Sequence, residues 1–117
     1  MNEQTIKDLA VELTAEIVEL SEKIKAKAIF VNQLLRSCSS IGANAHEAHY
    51  AQSRADFVHK LEIALKECYE TEYWIELLYK VGSLSEEQYR QVVTKCGTIR
   101  RKLIASVTTA KKNGGIQ

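Results

Sequence analysis

The residues of this chain best suited to chemistry are two histidines, His46 and His49, which lie three positions apart on one face of a predicted helix. Zinc sites on a single helix need histidines four positions apart, with a glutamate directly after the first, and His-Glu-Ala-His does not meet that spacing. A Glu-x-x-His pair, which helps build di-iron bundles, has one near match from Asp56 to His59, with the wrong acid. The sequence therefore predicts no metal site and no cofactor.

Other reactive groups are equally poor candidates for catalysis. Four glutamates of the third predicted helix are spaced like a solvated or interface surface: Glu67, Glu70, Glu72 and Glu76. Three cysteines occur within apolar patterns, without a C-x-x-C spacing, and are predicted to be buried thiols: Cys38, Cys68 and Cys96. No phosphate loop, dinucleotide fingerprint or nucleophile motif occurs. We therefore predict that the protein is not an enzyme.

The charge of the chain is nearly balanced overall but unevenly distributed. Net charge is +1, yet residues 88–117 contain no acid, whereas residues 61–87 contain seven acids and two lysines. The cations of the last segment are candidate nucleic-acid contacts, because arrays of cations bind phosphates with release of counterions: Arg90, Lys95, Arg100, Arg101, Lys102, Lys111 and Lys112. An alternative stays open, in which these cations neutralise the acidic third helix, within the chain or in a neighbouring subunit.

The third predicted helix carries more apolar surface than one bundle seam can cover. The residues outside its core stripe are Tyr69, Tyr73, Trp74, Leu77 and Val81. Extra aromatic surface on a helix indicates a partner interface, and Tyr50, in the preceding turn, can extend it. We expect self-association here in preference to a ligand pocket.

The elements that must position these residues are four amphipathic helices. Apolar residues recur at steps of three and four in four segments, and the chain contains no proline, which predicts an all-α, up-down antiparallel four-helix bundle. Ser53 and the Ser85 to Gln88 capping box signal two helix starts, and Gly82 signals a helix end. The first break is weakly marked: residues 21–27 are the best turn, and one long helix is the alternative.

Domain organisation and location follow from the same features. We predict one domain over residues 1–112 and a disordered tail over residues 113–117. The chain lacks an apolar run of about 18 residues and has acids close to its start, so neither a membrane span nor a signal peptide is expected. Cytoplasmic location is the corresponding expectation.

A segment rich in small and polar residues interrupts the second apolar stripe. Gly42 and its alanine neighbours lack bulk, so another helix can approach closely there. Ser40 and Asn44 are expected to hydrogen-bond across that contact. Asn44 and Glu47 are expected to be structural polar residues near helix ends or interfaces.

This segment also carries a resemblance to a known family. Residues 33–37 (QLLRS) and 40–48 (SIGANAHEA) resemble the signature QLLRS…SIGANIAEA of the bacterial 23S rRNA intervening-sequence (S23-like) proteins. Two further blocks, in residues 51–67 and 70–78, follow in the order of the family, and the resemblance extends over about residues 30–84. His46 departs from this signature. The accessory variability proteins of diversity-generating retroelements belong to the same group.

The resemblance implies a four-helix bundle that assembles into a homopentameric ring. In the retroelement branch it implies binding of nucleic acid and of a reverse transcriptase through basic surfaces. For the intervening-sequence branch it implies no settled biochemical activity. The resulting hypothesis is a non-catalytic homo-oligomer that binds RNA or a ribonucleoprotein through its fourth helix. The alternative is a protein–protein interaction module, for example an accessory subunit of a reverse transcriptase, without direct nucleic-acid contact.

Overall fold

The structure, a computed structural model, describes residues 4–114, which form an all-α bundle. In that range the helices are α1 (Ile6–Ser21), α2 (Ala28–Ala48), α3 (Arg54–Lys80) and α4 (Glu86–Gly114). Helices α1 and α3 each pack against both α2 and α4. Because the connections are short, consecutive helices run antiparallel. The predicted up-down four-helix bundle is confirmed, with an elongated shape of 50 × 33 × 20 Å.

Side chains that cap the backbone set where three of the helices begin. The Ser85 to Gln88 capping box forms as predicted: Gln88 N–H donates to Ser85 Oγ (3.1 Å), and Ser85 N–H donates to Gln88 Oε1 (2.9 Å). The Ser53 hydroxyl accepts from the backbone N–H three residues later, also as predicted. Thr5 and Asp8 form a further capping box at the start of α1. Each cap satisfies N–H groups that the first helical turn leaves unpaired.

The connections explain where the helices end. Gly82 has φ +83°, a left-handed conformation that favours glycine, and it terminates α3 as predicted. Residues 22–27 separate α1 from α2, so the predicted first turn is confirmed and the single long helix is wrong. Helix α4 includes Asn113 and Gly114, the first two residues of the predicted tail, and residues 115–117 of that tail lie outside the described residues.

The core is a continuous stack of aliphatic side chains from all four helices. Its largest fully buried members are Leu13, Ile17, Leu34, Ile41, Ile75, Leu78, Ile99 and Leu103. One residue assigned to the third apolar stripe stays partly outside: Tyr79 is 38% exposed and stacks on Tyr89 of α4 with 4.2 Å between ring centroids. Within residues 4–114, none of the helices has the length and hydropathy needed to cross a membrane.

The few polar atoms in the core are paired with one another or with the backbone. Thr71 Oγ1 donates to Ser37 Oγ (3.0 Å) across the α2–α3 seam, and both residues are fully buried. The Sγ atoms of Cys68 and Cys96 lie 3.6 Å apart across the α3–α4 seam as free thiols. Burial raises the pKa of the third buried thiol, Cys38, to about 11. Cys38 therefore stays protonated at neutral pH, and all three thiols fill space in the core.

The small residues of the second stripe bring α1 and α2 close together. A Cβ atom added at Gly42 would lie 3.3 Å from Ala10 Cβ, which is tighter than ordinary van der Waals contact. Close by, Thr14 Oγ1 of α1 donates to the Cys38 carbonyl oxygen of α2 at 3.2 Å. The predicted close approach at Gly42 is therefore confirmed.

The hydrogen bonds predicted to cross this contact are made elsewhere. Asn44 Nδ2 donates to the Ser40 carbonyl oxygen (2.9 Å) and to Ser40 Oγ (3.1 Å), both within α2. Their spacing of four residues places the two side chains one above the other on one helix, so each satisfies the other locally. The prediction that Ser40 and Asn44 bond across the seam is wrong, and the hydroxyl that does so is Thr14.

Filling the space at Gly42 should destabilise the bundle. We expect Gly42→Val to lower the free energy of unfolding by about 1–3 kcal/mol, because the added methyl groups push against Ala10. Ala43→Val, at the neighbouring exposed position, is the matched control. Helix propensity alone predicts the opposite order, since it favours valine over glycine but alanine over valine. Urea unfolding measures both variants, and an equal or greater loss in Ala43→Val would contradict the close-packing interpretation.

Candidate nucleic-acid interface

The cations of α4 divide into two groups according to the direction they face. The first group lies beside α1 and α3 and pairs with acids of those helices. Lys95 Nζ lies 3.3 Å from Glu12 Oε1 and also pairs with Glu16, both on α1. Lys111 Nζ lies 2.7 Å from Glu62 Oε2 on α3. These two cations tie α4 to both of its neighbours.

Arg100 has the most directional of these contacts. Its Nε lies 3.1 Å from both carboxylate oxygens of Glu72 on α3, and the two side chains are 30% and 21% exposed. The hydrogen bond that Arg100 donates to Glu72 raises the pKa of Arg100 above its usual range, so the guanidinium stays charged. The alternative that the basic helix neutralises the acidic third helix within the chain is therefore confirmed for Arg100 and Lys111.

The second group of cations faces solvent. Arg90 and Arg101 are exposed, and so is Lys112 near the end of α4. Arg90 pairs with Glu86 one turn earlier, while Arg101 Nη2 lies 3.4 Å from Thr98 Oγ1. Successive members of this group are 11 residues apart, which is three helical turns or about 16 Å along one face. Lys102 is half-buried on the same helix.

A glycine in α4 makes room for the arginines. A Cβ atom at Gly97 would lie 3.4 Å from Arg101 Nη1 and 3.6 Å from Arg100 Nη2. Side chains of a helix lean toward its N-terminus, so both guanidinium groups fold back over the turn that contains Gly97. Gly97 thus lies beneath two adjacent guanidinium groups, one paired with Glu72 and one turned to solvent.

The predicted interface residues of α3 form a partly exposed apolar strip. Tyr69 is 52% exposed, Tyr73 is 56% exposed and Val81 is 59% exposed, while Leu77 is half-buried. Trp74 is also half-buried, because its ring stacks on Phe30 of α2 (6.1 Å between centroids) and its Nε1 donates to Glu70 Oε2 (3.0 Å). The strip therefore consists of exposed tyrosines beside a tryptophan that is already packed.

An arginine of α2 completes the polar border of this strip. Arg36 pairs with Glu67 (3.3 Å) and with Glu70 of α3. The hydrogen bonds from Arg36 and then Trp74 lower the pKa of Glu70. Because the pKa of Glu70 is lower in the folded state than in the unfolded state, its contacts stabilise the fold fully at pH values above the unfolded-state pKa. That stabilisation is lost as the pH falls through the lower, folded-state pKa. The sequence pattern placed Glu67 and Glu70 on a solvated or interface surface and did not indicate their partner Arg36, which lies within the matched signature.

The remaining candidates lie at one end of the bundle. His46 and His49 are exposed at the end of α2, and their rings stand edge-on to Tyr50 at centroid distances of 5.4 and 5.2 Å. Asp56 accepts from the Gln52 backbone N–H (3.3 Å) near the start of α3. Among residues 4–114, no three histidine, cysteine or acidic side chains cluster as metal ligands would.

Glu47 pairs with Lys60 at 2.8 Å and links the end of α2 to α3, as expected of a structural polar residue.

Taken together, the fold and its surfaces define a small antiparallel four-helix bundle with a charged α4 and an aromatic strip on α3. The sequence profile of the 23S rRNA-intervening sequence proteins matches residues 2–105, and the chain belongs to this family. A comparison with curated proteins finds no match.

A solved structure supports the same assignment. A protein of unknown function from the S23 ribosomal protein family of Bacteroides thetaiotaomicron is 42% identical, with a TM-score of 0.82. The alignment covers 88% of this chain and 98% of that one. Neither the family nor this neighbour is described as an enzyme.

The pair formed by Arg100 and Glu72 should couple within one chain. In a double-mutant cycle of Arg100→Ala and Glu72→Ala, we expect a favourable coupling energy of about 0.5–1 kcal/mol, because the pair is partly shielded from solvent. Urea unfolding of the four proteins measures it. The more exposed pair of Arg90 and Glu86 serves as the control, with about 0.3–0.5 kcal/mol expected. A coupling near zero for Arg100 and Glu72 would show that their contact contributes nothing to the fold.

Proposed function

We propose that this protein is a non-catalytic homo-oligomeric scaffold that binds nucleic acid, as RNA or a ribonucleoprotein, through α4. The observation that carries the proposal is the solvent-facing set of Arg90, Arg101 and Lys112 on one face of that helix. Arg90 pairs with Glu86, but no acid follows Glu87 in the chain, so the rest of α4 carries no acid opposite Arg101 and Lys112. The family description, which refers to 23S rRNA, is consistent with an RNA partner.

Ion pairs within the chain limit which cations of α4 are available to contact RNA. Lys95, Arg100 and Lys111 have carboxylate partners in the chain, so phosphate contact by them would require a break in those pairs. The contact surface is therefore narrower than the whole basic helix: it is the outward face that contains Arg101 and Lys112. Arginine and lysine side chains both bind phosphate oxygens, and such contacts position a protein on nucleic acid without reading its sequence.

Removal of the outward cations should weaken RNA binding and its dependence on salt. For Arg101→Gln combined with Lys112→Gln, we expect weaker binding of a labelled single-stranded RNA at low salt. The slope of log K against log salt should become shallower by about 1.4, as for the loss of two phosphate contacts. Fluorescence anisotropy across a salt series measures both quantities.

A matched control separates local contact from net charge. Lys66→Gln combined with Lys80→Gln removes the same charge from exposed positions of α3 and should leave most of the binding and its slope intact. Equal losses in both double variants, or no binding by the wild type at low salt, would overturn the assignment to α4.

Self-association is the second part of the proposal. Tyr69, Tyr73 and Val81 are each more than half exposed, and interfaces are enriched in such aromatic side chains. The strip lies on α3, and the proposed nucleic-acid face lies on α4, so one protomer can use both at once. The homopentameric ring that the family resemblance implies remains a prediction for this chain.

The other functional class is an interaction module that uses the same strip without RNA. In it the strip, or a neighbouring face, binds a protein partner such as a reverse transcriptase. The pairing of Arg100 and Lys111 with acids of their own chain favours this alternative over RNA contact by those two residues. The RNA titration above separates the two classes.

Polar substitution of the strip should dissociate the oligomer. We expect wild-type protein to scatter light as a multiple of 13.2 kDa, and Tyr69→Ser combined with Tyr73→Ser to shift toward that monomer mass. The cause is the loss of aromatic area from the interface. Val11→Ser, at an apolar side chain of α1 that is 58% exposed, should leave the mass unchanged. A wild-type monomer at all concentrations would refute the scaffold proposal, whatever the result with RNA.

A further inference from the structure

A cavity opens at the end of the bundle where α1 and α3 begin and α2 ends. Its volume is about 430 Å³, within the range of small-molecule sites. The first turn of α1, the last turn of α2, the start of α3 and Ser106 of α4 all contribute to its walls. Because four separate segments enclose it, the space is part of the tertiary fold and is not a gap beside one exposed side chain.

The deep part of this cavity is apolar. Ala48 and Leu61 are 3% and 4% exposed and form its floor, with Phe57 half-buried beside them. At the mouth stands Tyr50, which is 71% exposed. Tyr50 contacts His46 and His49 edge-on, and its ring forms an aromatic wall at the mouth of the cavity.

The polar rim combines hydrogen-bond donors with one cation, Lys7, and one acid, Asp8, which offset each other in charge. Lys7, His46 and His49 line it, and one acid, Asp8, lies among them. The Asp8 carboxylate accepts from the Thr5 backbone N–H at 3.3 Å, while the Asp8 N–H donates to Thr5 Oγ1 at 3.0 Å. The Asp8 carboxylate therefore already has a role in capping α1. The ammonium and the two imidazoles provide donors for an incoming anion.

We propose that this cavity binds a free mononucleotide, with the base against the Tyr50 wall and the apolar floor and the phosphate at the rim formed by Lys7 and the two histidines. An aromatic wall accepts any base, because every base has a π-face. A phosphate is a strong acceptor for lysine and imidazole donors. This site shares no residue with the proposed RNA-binding face of α4, and either proposal can fail without the other.

The test is calorimetric titration of the full chain with AMP, adenosine and inorganic phosphate. AMP is expected to bind at least about tenfold more tightly than adenosine, as for the loss of one charge-assisted contact. Inorganic phosphate is expected to bind far more weakly than AMP, because it has no ring to stack. No binding of AMP at millimolar concentration would overturn the proposal. Equal affinities for AMP and adenosine, or for AMP and phosphate, would do so as well.

Two variants locate the site. Tyr50→Ala should weaken AMP binding about tenfold through loss of stacking, whereas Tyr69→Ala on α3 should not change it. Lys7→Gln should remove most of the preference for AMP over adenosine, whereas Lys23→Gln, beyond the other end of α1, should retain it. All four positions are exposed, so the variants should melt like the wild type. Losses shared by a variant and its control would place AMP elsewhere on the protein and refute the assignment.

Discussion

The close approach of α1 to α2 at Gly42 is the constraint on which the rest of the bundle depends. The connection between these helices contains neither glycine nor proline, so local turn chemistry alone does not fix the hairpin. Its geometry comes from packing: Gly42 admits Ala10, and the hydroxyl of Thr14 bonds to the α2 backbone beside them. Once α1 is held there, its acidic face reaches Lys95 and closes the bundle against α4. A side chain at position 42 would disturb both seams of α1 at once.

The basic residues of α4 form two groups that the sequence alone does not distinguish: those that pair with acids of neighbouring helices and those that face solvent. Cations that point toward α1 or α3 act as lateral ties between helices, and they hold α4 in place beside an otherwise aliphatic seam. Cations that point outward, such as Arg101 and Lys112, are exposed to solvent. This division follows from helical geometry, since positions 100 and 111 lie toward α3, whereas positions 101 and 112 lie one step of 100° further round. A count of all the basic residues of α4 therefore overstates how many cations are exposed for binding, because it includes those paired with acids of α1 and α3.

Much of the fold was predictable because it depends on local rules. The serine caps of α3 and α4, the terminating glycine at position 82 and the four apolar stripes are each readable within one helix. The sequence could not show which of two plausible partners a polar side chain would bond to in the folded bundle. Asn44 could bond to its own helix or to α1, and it bonds to its own. Arg100 could face a ligand or Glu72, and only the rotation of α4 against α3 decides that. Likewise, the cavity at the bundle end combines residues from four helices, and no sequence pattern brings them together.

The buried thiols of this bundle make the rate at which it opens measurable. Cys38, Cys68 and Cys96 are all buried in the folded chain, and helices must separate before their sulfur atoms meet water. A thiol-specific reagent at neutral pH therefore modifies the protein only through opened molecules. When the reagent is concentrated enough to react faster than the helices close again, the rate of modification equals the rate of opening. The wild-type chain can thus report the lifetime of its closed state without an added label, and also any change that a bound partner makes to that lifetime.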